Sequence, residues 1–115
     1  MKALLEPIKE IARFDELFRD LKKGTAGVTV ISGCLESQKA HMIAGLSEDV
    51  PVRLLIAENE LKAKELYEDY RLYDAETLYY PAKDLIFYQA DIHGNLLIRQ
   101  RLQVIQALLE RKEVT

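Results

Sequence analysis

A chain of 115 residues, 49% apolar and 30% charged, is long enough for one domain with a real core, and its net charge of −3 provides no global basic footprint for nucleic acid. One cysteine, Cys34, excludes an internal disulfide framework and fits a reducing compartment. Met1 to Leu5 runs straight into Glu6 and Pro7, too short for a secretory signal, and no segment approaches a membrane span, so a cytoplasmic protein with no membrane partner is expected.

Residues 1–24 read as an amphipathic helical region. Pro7 suits a helix start, and Ile8, Ile11, Phe14, Leu17, Phe18 and Leu21 recur at helical spacing. Lys22, Lys23 and Gly24 close it with positive charge and a glycine stop. Val28 to Ile31 then reads as a short buried strand. Leu35 to Leu46 reads as a helix with Leu35, Met42, Ile43 and Leu46 inward. Residues 52–57 form a second expected strand, and Asn59 is placed to cap a helix running to about Tyr73, with Ala63, Leu66, Tyr67 and Tyr70 on one face. A third expected strand, Thr77 to Tyr80, is stopped by Pro81.

Ala82 to about His93 is a loop, unusually apolar because of Leu85, Ile86, Phe87 and Tyr88. The last helix, from about Asn95 to Arg111, is expected to bury Ile98, Leu102, Ile105 and Leu109. Glu113 to Thr115 looks like the start of another strand, so the chain reads as one domain (residues 1–115) from a longer protein. Strands alternating with helices indicate βαβ units. The expected fold class is therefore α/β, a three-layer domain around a parallel sheet with right-handed crossovers.

The stretch from Ile31 to Ala40 carries the strongest chemical signal. It sits where a phosphate-binding loop belongs, after a strand and opening a helix, and the pattern there is G-x-x-x-x-G-K-[ST]. Gly33 and Lys39 match. Gln38 replaces the second glycine and puts a side chain where backbone must approach phosphate, and Ala40 lacks the hydroxyl that would hold Mg²⁺. Glu36 adds a repelling charge within the loop. Gly33 and Lys39 thus read as the remnant of a nucleotide site disabled at Gln38 and Ala40, with no bound cofactor, no metal site and no catalytic residue expected in this chain.

Other constellations have plain structural readings beside the functional ones. Cys34 near a helix N-terminus could be a nucleophile of lowered pKa, or a partly buried structural thiol. His41, His93 and Cys34 have no metal-ligand spacing. Glu58, Glu60, Glu65, Glu68 and Asp69 suit a solvated helix whose lysines, Lys62 and Lys64, pair across turns. The aromatic set Tyr70, Tyr73, Tyr79, Tyr80, Phe87 and Tyr88 could pack a core, anchor a protein interface, or stack on unpaired bases.

The order of these features resembles a known family. A strand, a degenerate loop and a helix, then Leu55-Ile-Ala-Glu-Asn59 leading into a helix with Leu66-Tyr67, look like the first domain of the UvrB family. Tyr80-Pro-Ala-Lys-Asp84, the apolar loop and Ile98-Arg-Gln-Arg-Leu102 complete a likeness to the amino-terminal UvrB-like module of bacterial transcription-repair coupling factors, covering residue 5 to the end. UvrB itself keeps an intact phosphate loop and a long tyrosine-rich hairpin, and this chain has neither. The resemblance implies a helicase-like, RecA-like lobe without ATPase activity, a scaffold for neighbouring domains. It also implies a parent that uses ATP and Mg²⁺ in a downstream motor, translocates on double-stranded DNA, displaces stalled RNA polymerase and recruits UvrA for nucleotide excision repair. A competing expectation is an active nucleotide-binding lobe of a UvrB-like or superfamily-two helicase.

Overall fold

The computed structural model describes residues 2–24, 27–82, 92–110 and 113–115, and the chain falls into two compact units, residues 1–50 and 51–115. In the first unit α1 (Lys2–Lys9), α2 (Phe14–Lys23) and α3 (Glu36–Leu46) pack on one another. The amphipathic region is thus two helices, with Pro7 inside α1 rather than at its start. On one continuous helix Ile8 and Phe14, six positions apart, would stand about 120° apart and could not share a face. The chain instead turns at Arg13, whose left-handed backbone (φ 70°) is uncommon for a residue with a Cβ. Backbone bonds from Ile11 N–H to the Ile8 carbonyl and from Phe14 N–H to the Ile11 carbonyl close that turn.

The break brings Ile8 and Phe14 together with Met42 of α3 in one core, with Phe18, Cys34 and Leu46 at its margin. Gly24, also left-handed, ends α2 by donating its N–H to the Leu21 carbonyl at 3.2 Å, as the glycine stop implies. At Gly45 α3 makes a close approach to Ile8 of α1 and Phe14 of α2. A Cβ there would lie 2.8 Å from Ile8 Cγ2 and 3.2 Å from Phe14 Cζ.

In residues 51–115, α4 (Glu60–Tyr70) and α5 (Ile92–Leu109) accompany non-helical segments. Asn59 caps α4 as expected, its Oδ1 accepting from Lys62 N–H at 2.9 Å. The helix ends at Tyr70, whose ring is fully buried, three residues short of the expected end.

The expected three-layer parallel sheet of a RecA-like α/β lobe is overturned. The described residues form five helices and no strand, and their β pairing is one isolated parallel bridge, Val52 to Val114. The physical reason lies in what makes a strand. Alternating apolar residues report a pleated, half-buried surface, but a strand also needs a neighbour for its backbone groups. Residues 52–57 keep the period: Val52, Leu54 and Ile56 are exposed while Arg53, Leu55 and Ala57 are half-buried. They lack a paired ladder. Val28 and Val30, expected in a buried strand, are 88% and 84% exposed.

The orientation of α5 is the second correction. Ile98, Leu102, Ile105 and Leu109 are exposed, while Leu97, Arg101 and Val104 are half-buried. Both rows have the spacing four, three, and stand one residue, about 100°, apart, so periodicity alone could not choose between them. The apolar loop residues Leu85, Ile86, Phe87 and Tyr88 lie outside the described residues. Among the described residues no helix is long and apolar enough to cross a membrane.

The close approach at Gly45 yields a test. Valine there adds a branched side chain against Ile8 and Phe14, and overpacking of this kind costs about 1–3 kcal/mol, more than the few tenths that valine gains over glycine in helix propensity. Gly45→Val should lower the urea midpoint of residues 1–50, with a loss of about 2 kcal/mol read from their amide exchange.

Candidate functional site

The loop before α3 is built by its own side chains. Glu36, Ser37 and Gln38 open the helix, and its first backbone N–H groups have no helical carbonyl to bond. Gln38 meets part of that need. Its Oε1 accepts from the Leu35 N–H at 3.2 Å while its own N–H donates to the Leu35 carbonyl at 2.9 Å. The glutamine that replaces the second glycine therefore serves as a local cap.

Lys39, the charge a phosphate would seek, lies 2.6 Å from Glu36 Oε1, an exposed pair one turn apart. Ala40 is 1% exposed, so the position that would carry the Mg²⁺-binding hydroxyl sits in the core. Gly33 keeps a positive φ of 84°. Beside it a depression of about 430 Å³ is lined by Ile31, Gly33, Cys34, Lys39, Met42 and Ile43. Gly33 and Lys39 both line this depression. The structure adds what each side chain does there.

Cys34 is half-buried at the edge of the Ile8–Phe14–Met42 core. The ring of His41 donates from Nε2 to the Leu4 carbonyl at 2.6 Å, tying α3 to α1. The described residues hold no cluster of three or more His, Cys, Asp or Glu side chains suited to a metal. The side chain of His93 lies outside the described residues.

The acidic residues of α4 are spread among helical ion pairs. Lys62 meets Glu65 at 2.9 Å and Lys64 meets Glu60 at 2.8 Å. The hydrogen bond and charge of Glu60 hold the Lys64 ammonium above its usual pKa on a fully exposed surface. These pairs are solvating contacts, each of small energetic weight.

The described aromatic residues are engaged within the chain. Tyr67 and Tyr79 rings lie 5.6 Å apart, and Tyr70 meets Tyr73 edge-on at 6.4 Å. The Arg101 guanidinium sits 4.7 Å from the Tyr80 ring centroid and donates to its hydroxyl at 2.8 Å. Phe87 and Tyr88 lie outside the described residues.

Sequence reasoning missed the strongest polar node. Arg53 Nη1 lies 3.3 Å from Asp74 Oδ2 and donates to Thr115 Oγ1 at 2.9 Å, and Thr115 Oγ1 donates to Asp74 Oδ2 at 2.8 Å. The Arg53 and Asp74 side chains are only 14% and 28% exposed. Asp74 also shapes its own turn. Its Oδ1 accepts from Glu76 N–H at 3.1 Å and its carbonyl from the Thr77 hydroxyl at 2.6 Å. That turn had a local signal, an aspartate with Glu76 and Thr77 two and three residues on. The partners Arg53 and Thr115, 21 and 41 residues away, had none.

Above this node is a cavity of about 260 Å³. Its walls come from residues 52–57, from Thr77 to Tyr80, from Ala63, Leu66 and Tyr67 of α4, and from Val104 and Leu108 of α5. Val114 and Thr115 line one end.

Comparisons with protein-family models, curated proteins and solved structures find no match to this chain. Its chemistry is therefore read from its own residues.

The node gives a direct prediction. Asp74→Ala removes the acceptor that Arg53 and Thr115 share at a half-buried position, a loss of about 1–3 kcal/mol. Amide exchange at Arg53, Leu78 and Val114 should accelerate on the order of ten-fold or more. The double variant Arg53→Met/Asp74→Leu, which leaves no orphaned charge, should recover part of that loss.

Proposed function

We propose that this chain is a non-catalytic scaffold domain, the role implied by its resemblance to the amino-terminal module of transcription-repair coupling factors. The fold expected from that resemblance is not what the described residues form, so the reading rests on the loop and not on the architecture. One observation carries it. Gln38 occupies the Leu35 N–H that an anion would take, while Glu36 holds Lys39 and Ala40 is buried. A phosphate entering here would have to displace a cap and break an ion pair, with no hydroxyl to gain for its metal.

A docking role also accounts for the exposed apolar surface. Leu54 and Ile56 are more than four-fifths exposed, and α5 presents the row Ile98, Leu102, Ile105 and Leu109. Contiguous apolar patches on a folded surface mark interaction sites. In this reading the immediate partners are neighbouring domains of a larger cytoplasmic protein. Contacts with UvrA, RNA polymerase and double-stranded DNA, and the use of ATP and Mg²⁺, belong to that larger protein. The competing reading, a working nucleotide-binding lobe, draws its support from the depression beside Gly33 and Lys39.

A nucleotide titration separates the two. Ligand that binds the folded state raises its melting temperature. Millimolar ATP with Mg²⁺ should leave the midpoint of this chain unchanged, as should the same titration on Gln38→Ala. A rise of several degrees in the unmodified protein would sink the scaffold reading in favour of the nucleotide-binding lobe.

A further inference from the structure

The turn between α1 and α2 is built from residues that do not favour a turn. Glu10, Ile11, Ala12 and Arg13 include no glycine, proline, asparagine, aspartate or serine, the residues that ordinarily make one. Glutamate, alanine and arginine are good helix formers, and the helical spacing of Ile8, Ile11, Phe14, Leu17 and Leu21 runs straight through them. Local preference and observed structure therefore disagree here.

The strain of that disagreement falls on Arg13. Among the described residues it is the only non-glycine with a positive φ, 70°, a conformation that glycine adopts freely and a residue with a Cβ does not. Around it the backbone still coils. Glu10 N–H donates to the Pro7 carbonyl at 3.3 Å, Ile11 N–H to the Ile8 carbonyl at 3.2 Å and Phe14 N–H to the Ile11 carbonyl at 3.0 Å. The Arg13 guanidinium bonds Glu16 at 3.0 and 3.3 Å, three positions on, a spacing that an unbroken helix keeps. Returning Arg13 to helical dihedrals, with α-helical bonds in place of these tight turns, joins residues 2–23 into one helix and releases the strain.

What holds α1 back is its docking on α3. Ile8 enters the core beside Phe14 and Met42, over Gly45, which has no side chain to exclude it. The Leu4 carbonyl accepts from His41 Nε2 at 2.6 Å, and Lys9 lies 3.8 Å from Glu48. Each of these contacts joins α1 to a residue beyond the turn, so α1 of a second copy can make them equally well.

We propose that α1 exchanges between two copies of this chain. The turn at residues 10–13 opens, residues 2–23 form one helix, and each α1 docks on α3 of the other copy. Ile8 of one copy then stands beside the partner's Phe14 and the partner's Met42. One helix sets Ile8 and Phe14 about 120° apart, which suits two residues that serve separate cores. The docking surface is the α3 face that α1 covers here, and the occupant is the same segment of a second copy. The inference rests on the packing of residues 1–50 and is independent of whether the Gly33–Lys39 loop binds nucleotide.

Sedimentation of the whole chain from micromolar to millimolar concentration should show a dimer. In a mixture of isotope-labelled and unlabelled chains, the magnetic contact between the Ile8 methyl groups and Gly45 should then cross between copies. Arg13→Gly takes up the left-handed turn freely and weakens the continuous helix, so it should raise the dimer dissociation constant about ten-fold. Arg13→Val, whose β-branched side chain the left-handed turn resists, should lower it several-fold. A chain that stays monomeric at millimolar concentration overturns the proposal. So does a dimer whose Ile8–Gly45 contact stays within one copy, or one whose dissociation constant either substitution leaves unchanged or moves the other way.

Discussion

Three backbone hydrogen bonds, made by two residues, hold the second unit in register. Val114 reaches back some 60 residues to Pro51 and Arg53 while Thr115 reaches back 37 to Leu78, and the Arg53–Asp74–Thr115 triangle fixes the same junction through side chains. The arrangement is economical because one threonine acts through both its carbonyl and its hydroxyl. The carbonyl accepts from Leu78, and the hydroxyl accepts from Arg53 while donating to Asp74. Arg53, Val114 and Thr115 of that junction also line the cavity.

The first unit depends on a different constraint, the facing of apolar residues. Ile8 and Phe14 can meet Met42 only because Arg13 interrupts the helix between them. Close packing then follows from the smallness of Gly45, with Ala40 and Ala44 also buried on α3. The same α3 carries the degenerate loop at its N-terminus. The burial of Ala40 thus links packing to chemistry: a side chain that helps close the core stands where a nucleotide site would need a hydroxyl.

Features that depend on nearby residues were legible in the sequence. The Asn59 cap, the Gly24 stop, the α4 face ending in buried Tyr70, and the Lys–Glu pairs at helical spacing all stand as read. The use of Gln38 as a cap at the start of α3 was not legible. What failed depended on distant partners. Val28 to Ile31 has strand-like composition but no pairing among the described residues, and the row of α5 that turns inward, Leu97, Arg101 and Val104, is interrupted by an arginine and less apolar than the exposed one. The Arg53–Asp74–Thr115 node lay beyond any local pattern for the same reason.

The cap made by Gln38 has a consequence for substitution in the loop. Once the Leu35 N–H is met from within the chain, the helix start no longer depends on an anion for that bond. Glycine at position 38 would remove the cap and loosen the turn, while Lys39 would still be paired with Glu36 and Ala40 would still fill the core. The start of α3 is thus held by several contacts of its own residues, and a change at one of them leaves the others in place.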